Sequence, residues 1–299
     1  MLCFKPLTLQ DYEVVSHYLA YEKALICDTM PGTIFMWRDY FHTEFCIDAE
    51  TLYFRITYPD GMVAYSVPCG KDFAQANLDK LAEYVKEQGA PLVFSPVTPE
   101  QISLLEEHFT IQESRPVRDW YDYIYNVTGM QTFSGKKLHG QRNFLNRFNK
   151  LYPEARVEAI SAENLDLCKK FLKEYSTDAL SSSATAEISS VREVLDHYDR
   201  YGLLGTCILV NDVVVAFAIG SQRENMLFEH IEKASRDYPG AYQKIASEFA
   251  KMYGTGKIEF VNREDDMGNL SLRTSKLAYK PVLLSEKYII YVSEVKQNS

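Results

Sequence analysis

No stretch of this chain approaches the roughly 20 consecutive apolar residues that a membrane-crossing helix requires. The best candidate, CILVNDVVVAFAIG, is interrupted by Asn211 and Asp212. The first twenty residues carry acids and no long apolar core, which argues against a secretion signal. A basic surplus is also missing. Lys and Arg number 32 against 41 Asp and Glu, a formal net charge of -9, which excludes a general nucleic-acid binder and a DNA partner. The six cysteines, Cys3, Cys27, Cys46, Cys69, Cys168 and Cys207, show neither CxxC nor CxxH spacing. They read as reduced, buried thiols of a cytoplasmic protein, and with six scattered histidines no metal site is expected.

What is present is ample core material. Hydrophobic residues make up 46% of 299 positions, with 21 Tyr and 16 Phe, enough for two globular units of about 150 residues each. Thr8 with Asp11 reads as the start of a helix over TLQDYEVVSHYLAY, and YPDG as a hairpin turn. DFAQANLDKLAEYVKEQG is an amphipathic helix closed by Gly89, and Pro99 opens the next one. The second half has helices over AENLDLCKKFLKEYS and ISSVREVLDHYDRYG, then three strand-like runs, LLGTCILV, VVVAFAIGSQ and NMLFEHIEKAS. AYQKIASEFAKMYG follows as a helix, KIEFVN as a strand, LSLRTSKLAY as a helix and VLLSEKYIIYV as a last strand. Strand, two helices, three strands, helix, strand, helix, strand is thus written twice, without residue identity between the copies.

That order resembles the GNAT acyltransferases, in tandem. WYDYIYNVTGMQTFSGKKLHGQRNFLNRFNK and HIEKASRDYPGAYQKIASEFA with FVNREDDMGNLSLRTSKLAYKP resemble the C-terminal domain of phosphatidylglycerol lysyltransferases, and more closely its stand-alone relatives. The resemblance implies an α+β fold of two GNAT-like domains, each a mixed, mostly antiparallel sheet flanked by helices. The domains are expected at 1–133 and 154–299, with a basic linker helix at 134–153. It also implies a transferase moving an acyl or aminoacyl group to an amine or hydroxyl, the acceptor being a small molecule or lipid-like. Two donors stay open, a CoA thioester and an aminoacyl-tRNA, the latter making tRNA a partner. A binding protein on a retired transferase fold is the remaining alternative.

Such chemistry needs a base for the amine, a stabiliser for the oxyanion and an acid for the leaving group. In the resembled fold the central strands part to admit the acyl donor, so strand ends supply the candidates. On MLFEHIEKAS these are Glu229, His230 and Glu232, with strict alternation placing His230 and Glu232 beside Phe228, and Glu229 on the other face. Tyr279 is the candidate leaving-group acid. After KIEFVN, the residues Asn262, Arg263, Glu264 and Asp265 are expected to bind substrate, with Arg273 and Lys276 from the following helix. Asp266 reads as an acid favoured by that helix's N-terminus. In KKLHGQRNFLNRFNKLY, Leu138, Phe144, Leu145, Phe148, Leu151 and Tyr152 form an apolar arc. Lys136, His139, Arg142, Arg147 and Lys150 lie opposite, so Lys136, Arg142 and Arg147 are phosphate candidates, against the alternative of a solvated face. Gly240 and Ala241 stand where GNAT proteins hold pyrophosphate, although Arg236 lies one residue too far upstream and Pro239 removes an amide donor.

Overall fold

The computed structural model describes residues 1–71, 73–175 and 182–296, which divide into two compact units: Met1–Tyr121 with Ser285–Ser299, and Asp122–Leu284. The first unit contains strands β1 (Lys5–Pro6), β2 (Glu44–Asp48), β3 (Thr51–Thr57), β4 (Val63–Tyr65), β5 (Cys69–Gly70), β6 (Val93–Val97) and β7 (Phe109–Pro116). Its helices are α1 (Tyr12–Leu19), α2 (Pro31–Trp37), α3 (Gln75–Glu87) and α4 (Pro99–His108). The local signals act as their chemistry dictates. Asp11 accepts hydrogen bonds from Thr8 through both backbone N (3.0 Å) and Oγ1 (2.7 Å) just before α1. Thr98 caps α4 reciprocally with Gln101, next to Pro99 at the first helical position.

The second unit holds, in chain order, β8 (Asp122–Asn126), α5 (Val127–Thr132), α6 (His139–Leu151), β9 (Arg156–Ala159), α7 (Leu165–Glu174), α8 (Ser182–Asp196) and α9 (Tyr198–Tyr201). It continues with β10 (Leu204–Val210), β11 (Val213–Arg223), β12 (Met226–Ala234), α10 (Ala241–Tyr253), β13 (Phe260–Asn262), α11 (Leu270–Ala278) and β14 (Leu283–Ser285). The last strand, β15 (Tyr288–Val295), is inserted in the first unit's sheet, between β6 and β7, and brings Ile290 into that core.

The two sheets run β1-β2-β3-β4-β6-β15-β7, with β5 on β3, and β14-β8-β13-β12-β11-β10-β9. Every pairing of β9 through β13 is antiparallel except β12 with β13. Two strands therefore sit in the opposite sheet from the one expected. β8 joins the second sheet and β15 the first, so the compact units divide the chain at 121/122 and 284/285 rather than into 1–133, 134–153 and 154–299. Strand β7, which sequence periodicity does not announce, has mostly exposed residues and lacks the apolar alternation of a half-buried strand.

The face of the second sheet that positions the site is covered by α10. Its Ile245, Ala246, Phe249 and Ala250 form one helical stripe packed with Ala216 and Ala218 of β11, Leu227 of β12 and Val261 of β13. Helix α6 adds Leu145 and Phe148 to the same core. Its apolar arc is narrower than expected, because Phe144 and Leu151 at its margins are 48% and 50% exposed.

Candidate active site

Strands β12 and β13 run parallel and pair only from Met226 with Phe260 to Phe228 with Asn262. Beyond that point they separate. The chain after β13 stays with β8, Arg263 N–H donating to the Tyr123 carbonyl (3.0 Å) and Tyr123 N–H to the Glu264 carbonyl (3.1 Å), while β12 continues on β11 to Ala234. Residues 229–234 thus carry side chains into a place where the sheet has parted.

A β-bulge decides which side chains meet there. In the ladder with β11, Glu229 pairs with Gly220 and Ile231 with Ile219, leaving His230 as an extra residue on β12. The extra residue shifts the alternation by one, so Glu229 and Glu232, three positions apart, both reach the α10 side. This corrects the expectation that they occupy opposite faces. Arg263 stands between them: its Nε lies 3.4 Å from Glu229 Oε2 and its Nη2 donates to Glu232 Oε2. The guanidinium sits 4.6 Å from the Tyr279 ring centroid and 5.9 Å from that of Tyr125, both cation–π distances.

All three charged side chains are withdrawn from water, Glu229 at 2%, Arg263 at 10% and Glu232 at 12% exposure. Burial pushes the Glu229 carboxyl well above the ordinary glutamate range; Arg263 opposes this and Glu232 adds to it. Burial works against the charge on Arg263, but the two glutamates outweigh it and hold the guanidinium protonated. Burial also raises the Tyr279 hydroxyl, so it is a proton donor and not a phenolate at neutral pH. Both carboxylate oxygens of Glu229, together with Nε and Nη1 of Arg263, have no hydrogen-bond partner. Buried polar atoms rarely remain so, and with Glu229 holding its proton the ionised Glu232 is the counter-ion of Arg263. Glu229 thus presents two acceptor oxygens and Arg263 two N–H donors within the parted strands.

The remaining expected site residues divide into scaffold and surface. Asn262 is fully buried, donating to Asp122 Oδ2 (2.8 Å) and accepting from Glu264 N (2.7 Å). Arg273 is engaged at two points by Asp266, Nε to Oδ2 at 2.9 Å and Nη2 to Oδ1 at 2.7 Å. Asp266 also accepts from Tyr123 Oη (2.6 Å) and Gly268 N (3.0 Å), so it is the anchor of the loop before α11. Burial would raise the Asp266 carboxyl, but the bonds from Arg273 and Tyr123 outweigh it and bring it below the usual value. The α11 cap is instead Asn269, which accepts from Ser271 N and Leu272 N. Lys276 donates to the Arg263 carbonyl (2.5 Å) and to that of Asp265, clasping the same loop, and burial lowers its pKa. Asp265 Oδ1 accepts from Met267 N (3.1 Å), a local turn. His230 and Glu264 meet each other on the other side of the sheet, away from Arg263.

Among the phosphate candidates, Lys136 and Arg147 are exposed on the α6 segment. Arg142 Nη1 donates to the carbonyls of Phe133 (2.7 Å) and Gly135 (3.1 Å), closing the turn after α5. Ala241 N–H donates to the Tyr238 carbonyl (2.9 Å), and Ala241 is buried in the core. Gly240, at φ 90°, lies so close to α6 that a Cβ would stand 2.2 Å from the Phe144 carbonyl oxygen. Its lack of a side chain serves helix packing. Sequence reasoning missed Ser221 and Tyr125. Tyr125 is one tyrosine among 21 and Ser221 follows a glycine within a strand, so neither carries a local signal.

Parallel strands that part after a short pairing, inside a mixed sheet flanked by helices, and a second mixed sheet in the same chain define a tandem GNAT-like architecture, the fold of acyl and aminoacyl transferases in general. Residues 25–291 match the family described as phosphatidylglycerol lysyltransferase, C-terminal, and the chain belongs to that family. It is similar to a conserved protein of unknown function from Bacteroides thetaiotaomicron, with 28% identity and a TM-score of 0.85 over 98% of this chain and 100% of the other. The structure of L-PGS from Bacillus licheniformis matches at 16% identity and a TM-score of 0.63, covering 94% of this chain and 91% of that one. An uncharacterised protein of Mycoplasmoides gallisepticum is 26% identical over 256 residues, 74% of this chain and 83% of its own. Among the described residues, no helix is long and apolar enough to cross a membrane.

Proposed function

We propose that the chain is an aminoacyl transferase whose donor is an aminoacyl-tRNA and whose acceptor carries an amine or hydroxyl. The observation that carries this reading is the buried cluster of Glu229 and Glu232 around Arg263, with buried polar atoms lacking partners. An aminoacyl amino group donates to the open Glu229 oxygens, and the ester carbonyl oxygen accepts from the open N–H groups of Arg263. In this reading Glu229, its proton affinity raised by burial, holds the amino group, while Glu232 keeps Arg263 in place. Arg263 stabilises the oxyanion that forms as the acceptor attacks the ester carbonyl, and Tyr279 protonates the departing tRNA oxygen and regains a proton from the acceptor's attacking group. Lys136 and Arg147, exposed on the α6 segment, meet the phosphate backbone. The family assignment and the fold support transfer as a class.

The competing donor is a CoA thioester. Against it stands the start of α10, where the Ala241 amide is bonded to the Tyr238 carbonyl and Gly240 is closed over by Phe144. The test offers the protein radiolabelled aminoacyl-tRNA or acetyl-CoA with a panel of amine and lipid acceptors, for wild type, Glu229→Gln and the pair Lys136→Ala/Arg147→Ala. The reading expects transfer only from aminoacyl-tRNA, at least tenfold weaker with either substitution set. Transfer from acetyl-CoA that is indifferent to the loss of Lys136 and Arg147 overturns it.

A further inference from the structure

On the sheet face opposite Arg263, three side chains from separate segments form a continuous relay. Ser221 Oγ lies 2.7 Å from His230 Nε2, and His230 Nδ1 lies 2.8 Å from Glu264 Oε1. The face follows from alternation. A Cβ on Gly220 would meet Phe249 of α10, so Ser221, one residue further along β11, points the other way, as does Phe217, which packs edge-on against Phe171 of α7. Alternation from Phe228, which pairs with Ser221, places His230 on this face, and the bulge after Glu229 sends Glu232 to the Arg263 face instead.

Each member is fixed by its surroundings. The His230 side chain is fully buried and lies near-parallel to the Phe228 ring, centroids 6.3 Å apart. Glu264 adopts φ 57°, a left-handed conformation uncommon for a residue with a side chain. It is kept there by its N–H bond to Asn262 Oδ1 (2.7 Å) and the bond from Tyr123 N–H to its carbonyl. With Nδ1–H donating to the carboxylate, Nε2 is left to accept the serine proton. Ser221 and Glu264 are partly exposed, so a reagent can reach the serine while His230 stays buried.

We propose that Ser221, His230 and Glu264 form a second catalytic site, which accepts the acyl group of an activated ester on Ser221 Oγ and releases it to water. In the first half, Oγ bonds to the acyl carbon, its proton passes to His230 Nε2, the ester C–O bond breaks and the departing alkoxide takes that proton. Water then attacks the acyl-serine by the same route, yielding the carboxylic acid and restoring the serine. Glu264 holds the imidazole in the required tautomer. This site does not depend on aminoacyl transfer at Arg263.

A fluorophosphonate probe, which bonds to an activated serine with loss of fluoride, reads the relay directly. The expected result is one label per chain on Ser221 by peptide mass spectrometry, with p-nitrophenyl acetate hydrolysed at a rate set by the same residue. Ser221→Ala abolishes both, and His230→Gln slows labelling at least about 100-fold. Glu264→Gln slows it less, and thermal melts report whether each variant is folded. An unlabelled wild-type Ser221, a label elsewhere that accounts for all hydrolysis, or equal labelling in folded His230→Gln overturns the proposal. Because labelling requires no tRNA or acceptor, failure here and failure of the transfer reading are separately visible.

Discussion

Glu229 and Glu232 stand three residues apart on one strand, yet both address the Arg263 guanidinium, through Nε at 3.4 Å for Glu229 and through Nη2 for Glu232. On a regular strand an odd separation puts side chains on opposite faces. The single extra residue at His230 removes that obstacle and creates a buried carboxyl pair sharing one cation.

The pair has a pH signature. Burial raises the folded-state pKa of Glu229 above its ordinary 4.5, so the folded chain binds this proton more tightly than the unfolded one. Stability is therefore greatest below the unfolded value and declines as pH rises through the interval up to the folded value, by at most about 1.4 kcal/mol per pH unit. Glu229→Gln flattens that decline. Urea melts of both proteins between pH 4 and 8 (roughly the span in which a raised carboxyl titrates) check it.

Removing the cation exposes the opposite cost. Arg263→Met leaves two buried carboxyl groups facing each other and is expected to lower stability by about 3 kcal/mol. Adding Glu229→Gln and Glu232→Gln to the same chain should recover at least half of that. Denaturant midpoints at constant m-value decide whether the three side chains act as one unit.

The loop that delivers Arg263 depends on Asp266 and Arg273. Asp266→Asn breaks a two-point pair whose acid is fully buried, with an expected loss of about 3 kcal/mol at neutral pH. The Asp266 pKa is depressed in the folded chain, so its contribution is present above the ordinary 3.8 and disappears as pH falls through the folded value. The difference between wild type and Asp266→Asn should accordingly shrink in acid, as thermal melts across that range will show.

Gly240→Ala tests the approach of α6 to α10. The new Cβ would stand 2.2 Å from the Phe144 carbonyl oxygen at a backbone φ of 90°, so the two helices must shift. An expected loss of about 2 kcal/mol combines the conformational and steric terms. By contrast Gly140→Ala, where nothing lies within 4 Å of the added carbon, should raise helix stability slightly.

Much of the second unit was legible because its signals are local. The strand at Leu204–Val210, the alternating run after it and the stripe of Ile245, Ala246, Phe249 and Ala250 announce themselves by periodicity. Arg263, Glu229 and Glu232 could be named in advance because ionisable residues inside or at the ends of apolar strands are conspicuous. Their mutual arrangement could not be read, because a bulge depends on the ladder with β11 and has no residue signature at His230. Asp266 illustrates the same limit: beside Asp265 it reads as one more helix-favouring acid, and only the fold brings Tyr123 and Arg273 to it. The α6 cations show the converse. Arg142 looks equivalent to Arg147 on a helical wheel, yet its guanidinium closes the preceding turn.

By itself, the sequence determined the element order, the doubling of the architecture and which strand ends carry charge, since these rest on propensity and spacing between near neighbours. Tertiary structure alone decided that β8 and β15 pair in each other's expected sheets, that Glu232 leaves the His230 face for Arg263, and that Ser221 and Glu264 close the relay on His230. The physical reason is that strand pairing joins residues far apart in the chain: Ser221 and Glu264 lie on different segments, and only hydrogen-bonded register brings them within reach of one imidazole.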